Sequence, residues 1–513
     1  MQILQRIGRL SVGTCLALAA SQALYSSNVF GDVVSEPTSE SAAATEPKFS
    51  LGAGYTAPSV TPSVKPEAFA PGSDSAVYLA TAGERRPLMR LFDKWGWAKP
   101  LDDAGIEIYG FLQGSYGVNV VDPQADDPLG PNPAQHRIQG RMFDHHNNQL
   151  ALNRFDVFVQ RPVDYTSGKM EYGGLFEMQY GIDAAMMHSN GLFDFDWFDY
   201  KNHADPAYQI DLTQLYFDLG IPVGNGLRVR AGKFTTPIGY ESCDPTTRTT
   251  IQFYSRTWIL SMGIPMYHTG AMATYDFTKS LTANFGVTRG WDQSLEDNNS
   301  AIDMLATLNY QVSDNLTLFG ATSIGPQNPG DNSHWRYLLN GTAYFTPDLN
   351  GPWTFALDSI VAWEDNRVFS HGGYQRTAAP AGVSYHQDDD ITDDVGDTYW
   401  FAVAGFAAYR INPQLVAKAR AEWFYDNDGT RWRVPAGNSS YQAAVMNNPF
   451  AAVGQSISAF ELTLGMDIVP FPNDAKELLV RPEVRLDVAD RTIFVNDDRS
   501  YQVTVAFDVI YKF

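Results

Sequence analysis

The final stretch of the chain, Ser500 to Phe513, reads S-Y-Q-V-T-V-A-F-D-V-I-Y-K-F. Tyr501, Val503, Val505, Phe507, Val509, Tyr511 and Phe513 fall on one parity, and Gln502, Thr504, Asp508 and Lys512 on the other. A period of two with one apolar and one polar side is the pattern of a strand between two different media. A soluble sandwich strand alternates in the same way, but it rarely ends flush on an aromatic residue. The last strand of a transmembrane barrel does so, with the apolar parity against lipid and the polar parity against a wet lumen.

Earlier stretches repeat the pattern. Ile106, Ile108, Leu112, Tyr116, Val118 and Val120 share one parity, as do Ile302, Met304, Ala306, Leu308, Tyr310 and Val312. So do Trp353, Phe355, Leu357, Val361 and Trp363, and again Phe460, Leu462, Leu464, Met466 and Ile468. Tight turns such as Val223-Gly-Asn-Gly226, Ser313-Asp-Asn315 and Asn412-Pro-Gln414 alternate with long polar stretches, 122–147, 184–206 and 369–397. Short turns at one end and long loops at the other are the barrel arrangement, and the count from Gly105 is roughly sixteen strands, enough to leave an aqueous channel. A phase slip between Leu212 and Leu215 marks a bulge or a miscount. The expected fold class is all-β, a transmembrane antiparallel barrel over 104–513.

Composition narrows the partners. The 513 residues carry 36 Lys+Arg against 58 Asp+Glu, a formal charge of -22. That balance disfavours nucleic acid, which needs clustered cations against phosphate. Beyond the N-terminus no apolar run reaches the length of a membrane helix, so a membrane role requires strands. Residues 1–31 have the form of a secretory signal, with Arg6 and Arg9 ahead of the apolar run Leu10 to Ala20. Cleavage after Ala23 or after Gly31 fits equally. Cys15 lacks lipobox surroundings, and its loss leaves Cys243 alone, so no internal disulfide is expected. Residues 32–83, rich in Ser, Ala, Pro, Thr and Glu, read as a disordered periplasmic linker. In 84–103, Leu88, Leu91, Phe92 and Trp95 at helical spacing predict a short amphipathic helix on the periplasmic rim, or a partial plug.

The inward parity collects charge: Arg154, Arg228, Arg230, Lys418, Arg420, Glu422, Arg481, Glu483, Arg485 and Asp487 are the pore-lining candidates. Rings of charge set ion preference. The plainer reading is that opposite charges on neighbouring strands pair; the functional one is a basic ladder that draws anions. Thr235 to Pro265 is a connection of about thirty residues, long enough to be functional or disordered. Folded inward it would form a constriction, with Glu241, Asp244, Arg248 and Arg256 as its candidates. The acidic groups Asp194, Asp196, Asp199 and Asp388-Asp-Asp390 with Asp393 and Asp394 read as solvated outer surface, or as oxygen ligands for Ca²⁺ or Mg²⁺ at the lipopolysaccharide layer. Asp144-His145-His146 has no companion motif for catalysis or metal, and no catalytic residue, metal or cofactor is expected.

Several stretches resemble the outer-membrane β-barrel porins of the porin-2, OmpL-like type. These are Asn147-Asn-Gln-Leu-Ala-Leu-Asn-Arg-Phe155, Asp211-Leu-Thr-Gln-Leu-Tyr216, Ala231-Gly-Lys-Phe-Thr-Thr-Pro-Ile-Gly-Tyr-Glu241, His268-Thr-Gly270 and Thr288-Arg-Gly-Trp-Asp-Gln293. The resemblance covers 84–513. It implies a non-enzymatic channel in the bacterial outer membrane for passive diffusion of small hydrophilic solutes or ions. It also implies a setting of lipid bilayer, lipopolysaccharide and barrel-assembly machinery, with a homotrimer as one option. Gly232-Lys-Phe with Pro237 and Gly239 is similar to the third loop of phosphate-selective porins, and Trp95-Gly96 with Gly105-Ile106 to the opening of carbohydrate-selective ones. A solute-selective porin therefore stays open, as do, further off, a barrel enzyme and a structural or adhesive barrel.

Phe513 is the expected assembly signal. Deleting it, or replacing it with a charged residue, should lower the amount of heat-modifiable barrel in the outer membrane while export continues. Wild-type barrel levels in both variants would count against that role.

Overall fold

A computed structural model of the chain describes residues 85–124, 137–193, 208–245, 251–328, 330–365, 368–370, 392–394, 396–433, 455–471, 477–495 and 498–513. The signal and linker expectations for 1–83 lie outside these residues, as do Arg248 and the acidic loop residues Asp194, Asp196, Asp199 and Asp388 to Asp390.

Alternation of the kind seen at the C-terminus recurs in β1 (Glu107–Asn119), β2 (Gln149–Arg161), β3 (Glu171–Gly181), β4 (Gln209–Ile221), β5 (Leu227–Thr235) and β6 (Tyr267–Thr278). It continues through β7 (Leu281–Thr288), β8 (Asp303–Ser313), β9 (Leu316–Pro326), β10 (Trp335–Phe345) and β11 (Trp353–Glu364). A small hairpin, β12 (Val368–Ser370) with β13 (Thr392–Asp394), stands apart from the barrel sheet. The wall resumes with β14 (Thr398–Asn412), β15 (Leu415–Asp426), β16 (Ile457–Ile468), β17 (Leu478–Ala489) and β18 (Tyr501–Lys512). Each barrel strand pairs antiparallel with its neighbours, and β1 pairs with β18, closing a barrel of 16 strands.

Hairpin turns occupy one end and long loops the other, as expected. Turn chemistry explains the tight end: Asn412 Oδ1 accepts from the Gln414 and Leu415 amides at 2.8 and 3.0 Å, and Asn315 Nδ2 donates to Thr346 O at 2.7 Å. Asn side chains of this kind replace the backbone partners that a two-residue turn cannot supply.

The apolar parity faces outward. Phe460, Leu464, Leu308, Val361 and Val505 are all exposed, whereas their chain neighbours Glu461, Thr463, Thr307, Ile360 and Thr504 are buried. Aromatic girdles mark both rims. Tyr337 stacks on Trp363 at 4.8 Å and Phe401 on Tyr425 at 5.0 Å near the long-loop end. Trp353 packs on Tyr409 at 4.7 Å near the short-turn end. Ring bodies in the acyl chains with polar tips at the headgroups give such belts their place.

The phase slip is a bulge. Glu177 pairs with Gln214 and Met178 with Leu212, so Thr213 is the extra residue and both Thr213 and Gln214 point inward. Asn153 is a second such residue, opposite the Gln113–Gly114 step, and brings Asn153 and Arg154 inward together.

At the seam, Phe513 and Gly110 exchange backbone hydrogen bonds at 2.9 and 3.0 Å. The Phe513 ring stacks on Phe155 at 5.8 Å. Gly110 makes room for it: a Cβ there would meet Phe513 Cζ at 2.6 Å and Asp156 O at 2.1 Å. Ahead of the wall, α1 (Pro87–Trp95) ends on Gly96, whose φ of 74° suits glycine, and α2 (Ala98–Asp103) follows. Arg86 bonds Glu107 at 2.9 Å and lies 3.5 Å over the Tyr109 ring, and Arg90 reaches Glu477 at 2.7 Å. These contacts place α1 at the short-turn end beside the β1 seam.

The outward parity generates a stability prediction. Leu464→Arg should destabilise the barrel by about 2–4 kcal/mol if the site lies near the bilayer midplane. Reversible urea unfolding in liposomes measures it; a loss under about 1 kcal/mol would put the site at an interface instead.

Candidate functional site

The connection 236–266, between β5 and β6, turns into the barrel rather than out of it. Its ends are pinned where the Thr236 amide donates to Met266 O at 2.8 Å. The Gly239 and Tyr240 amides then reach across to Asn340 Oδ1 of β10 at 3.2 Å and Asp358 Oδ2 of β11 at 2.9 Å. Apart from a turn of π-helix, Ile259–Gly263, the described part of the loop has no regular structure, so its amides and carbonyls need partners from elsewhere.

The charged wall supplies them. Arg154 of β2 donates to Cys243 O at 2.6 Å, Arg420 of β15 to Ser255 O at 2.8 Å and Arg485 of β17 to Arg256 O at 2.6 Å. Lys418 donates to Gln252 O, and Arg481 to Pro245 O at 3.4 Å. Carboxylates take the amides. Glu483 accepts from Tyr254 and Ser255 at 2.8 and 3.1 Å, and Glu422 from Trp258 and Ile259 at 2.7 Å each. Guanidinium and ammonium groups cannot accept and carboxylates cannot donate, so each sign of wall charge finds its complement along the loop backbone.

The loop's own charges join in. Glu241 lies 3.2 Å from Arg420 and accepts from the Thr257 amide and hydroxyl at 2.7 Å each. Arg256 donates to Gln252 Oε1 at 2.5 Å, and Asp244 is buried near the turn that Arg481 reaches. Aromatic side chains fill the remaining space: Trp258 packs edge-on to Trp432 at 5.1 Å, Tyr240 against Phe406 at 4.6 Å, and Trp400 donates to Gly263 O at 3.0 Å.

All ten wall candidates face inward and are buried, but the structure does not leave them as a bare basic ladder. Arg481 pairs with Asp508, Arg420 with Glu461 at 2.6 Å, Lys418 with Asp467 at 2.5 Å and Arg485 with Asp487 at 2.7 Å. Arg154 bonds Asp156 and, at 3.2 Å, Glu177. Arg228 and Arg230 stand apart from the loop, toward the short-turn end, where Arg230 clasps Asp218 at 2.9 and 2.8 Å and Arg228 donates to Thr274 at 3.3 Å. The acidic partners Glu177, Asp218, Glu461, Asp467 and Asp508 were not singled out from the sequence, although each lies on the inward parity beside a named base. Asn340 and Asp358, the far anchors of the loop, carry the same signal.

A second loop turns inward from the β1–β2 connection. Arg141 bonds Asp487 at 2.6 Å and also Asp144, tying that loop to the wall. His145 donates through Nδ1 to Met142 O at 2.9 Å, and its ring lies 4.4 Å from His146. Burial, with His146 and Arg137 nearby, holds His145 well below the ordinary histidine range, so it is a neutral packing residue. From the β7–β8 connection, Asp292 accepts the Met266 and Tyr267 amides at 2.8 and 2.9 Å and so secures the exit of the inward loop. Burial pushes its carboxyl up to about 7 against those two bonds. Among the described residues no group of His, Cys, Asp and Glu is arranged to hold a metal ion.

If carboxylates fasten the loop, removing one should free it. Glu422→Ala leaves two buried amides unpaired, a cost of about 1–3 kcal/mol each. The variant should show larger and noisier single-channel currents than wild type. Unchanged currents in both Glu422→Ala and Glu483→Ala would mean that the loop does not limit passage.

Among known proteins, the model of the family described as "Putative beta-barrel porin-2, OmpL-like" matches residues 105–513. No curated protein matches the chain. Similar solved structures include the outer membrane channel DcaP of Acinetobacter baumannii, 12% identical with a TM-score of 0.46, covering 80% of this chain and 98% of that one. Salmonella typhi OmpF in complex with daunomycin is also 12% identical, TM-score 0.46, covering 80% and 99%. An anion-selective porin from Comamonas acidovorans is 9% identical, TM-score 0.44, covering 80% and 99%. With its closed 16-strand wall, lipid-facing exterior and charged interior, the chain belongs to the porin-2, OmpL-like family and is an outer-membrane channel for passive diffusion.

Proposed function

We propose that solutes cross beside the loop 236–266 and that this loop sets the aperture. The observation that carries this is the set of wall charges bonded to the loop backbone from β2, β15 and β17, which holds a segment without regular structure across the lumen. The cargo in this reading is small and hydrophilic, and the protein works as a channel rather than as an enzyme. Homotrimeric assembly, lipopolysaccharide around the long-loop rim and delivery by the barrel-assembly machinery belong to the same reading and rest on family membership.

Selectivity follows from the pairing. Each base of the ladder that meets the loop has a carboxylate within ion-pair distance, which cancels most of its field a few ångströms away. On the described barrel strands, buried carboxylates outnumber buried guanidinium and ammonium groups. Loop charges outside the lumen are screened over about 8–10 Å at physiological salt, so the wall decides. The balance favours weak cation preference, in place of the anion preference that an unpaired ladder would give.

Planar-bilayer recordings test both parts. The purified, heat-modifiable protein should give discrete conductance steps, and its reversal potential in a KCl gradient should lie on the cation side. Absence of steps would sink the channel reading; an anion-side potential would overturn the selectivity alone.

A further inference from the structure

One side of the lumen carries a polar row that the inward loop leaves largely unused. Asp156 of β2 is in register with Gln179 of β3, and Gln179 with Asp211 of β4. Lys233 of β5 lies 3.5 Å from Asp211 and 4.3 Å from the centre of the Tyr267 ring of β6. The bulge adds Thr213 to the same side. All six side chains are at most 3% exposed.

Several of their polar atoms have no hydrogen-bond partner among the described residues. They are both amide atoms of Gln179, Oδ1 of Asp156, Oδ2 of Asp211, Oγ1 of Thr213 and Oη of Tyr267. Buried polar atoms are normally paired, and six within the β2–β6 side of the wall are a concentration that packing alone does not explain. The helical turn Ala184–Met187, packed against β3 and β4, presents Ala184, Ala185, Met186 and Met187, whose side chains offer no conventional donor. It is fastened by the next residue, His188, which bonds Gln209 at 2.6 Å and reaches Asp211 of the row at 3.4 Å.

We propose that this row is a binding track for a small, neutral, polyhydroxylated solute such as a sugar, reached when the Ala184–Met187 turn lifts. The reading rests on the channel function and adds a ligand class to it. The chemistry selects the class. Gln179 Nε2 can only donate, Gln179 Oε1 and Asp156 Oδ1 can only accept, and the Thr213 and Tyr267 hydroxyls can do either. An anion would satisfy the donors alone and a metal or organic cation the acceptors alone. A hydroxyl both donates and accepts, so a polyol satisfies the whole row. The charges of Asp211 and Lys233 already compensate each other, and Arg154 compensates Asp156. β2, β3 and β4 together span about 10 Å, comparable with one or two sugar rings, and Lys233 bridges from Asp211 of β4 to the Tyr267 ring of β6.

The test is current block in planar bilayers by sucrose, with a polyethylene glycol of similar hydrodynamic size as the non-binding control. Wild type should show a saturable fall in KCl current with sucrose and only the viscosity effect with the glycol. Gln179→Leu combined with Thr213→Val should raise the half-blocking concentration at least tenfold. Tyr267→Phe, which removes one hydroxyl and keeps the ring, should raise it severalfold and serves if the double variant fails to assemble. Thr307→Val, an inward hydroxyl on β8 outside the row, should leave it in place. A sucrose effect no larger than that of the glycol, or a half-blocking concentration unmoved in Tyr267→Phe, would overturn the track while leaving the channel intact. A wild type without conductance steps would overturn both.

Discussion

A segment of irregular backbone inside a membrane barrel must find a partner for each of its amides and carbonyls, because neither lipid nor a narrow lumen supplies free water to all of them. In this protein the wall charges answer that demand. Arg154, Lys418, Arg420, Arg481 and Arg485 donate to loop carbonyls, and Glu422, Glu483 and Asp358 accept loop amides. Much of the lumen's charge pattern follows from this arrangement. The charges must be inward, both signs must occur along the path of the loop, and they must be paired with each other wherever they outlast the loop's needs. Burying them singly would be costly; burying them as a bonded network lowers that cost.

The outside of the barrel obeys a simpler constraint. One parity dissolves in lipid and the other in the lumen, so a single local rule places every strand. Closure is the one place where it needs help. The last strand meets the first, and the residue after it, Phe513, lies over the bare backbone of Gly110 and against Phe155. Helix α1 rests at that same end, with Arg86 over Tyr109. The seam thus gathers a terminal aromatic, a glycine and an amphipathic helix at one point.

Strand position was legible from the sequence because a period of two is a property of neighbouring residues. The slip between Leu212 and Leu215 was visible for the same reason, and register resolved it into a bulge at Thr213. The inward direction of Arg228, Arg420 and Arg485 was readable from parity, and the long connection after β5 from its length. The partners were not readable. Parity says that Arg420 points inward, but not that Glu461 stands on the adjoining strand or that Glu241 arrives from a loop 179 positions away. Reading inward bases without their acids gives a ladder with an anion field; the registered strands give pairs.

Sequence by itself determined the medium on each side of the wall, the alternation of short and long connections and the closed all-β architecture, since these depend on the solvation preference of each residue and on turn chemistry within a few positions. The tertiary structure decided which charges neutralise each other, which ones hold the inward loop, and which polar atoms of β2 to β6 are left without a partner among the described residues. Those outcomes depend on register between strands and on the route of a loop across the lumen, and both are settled by contacts between residues far apart in the chain.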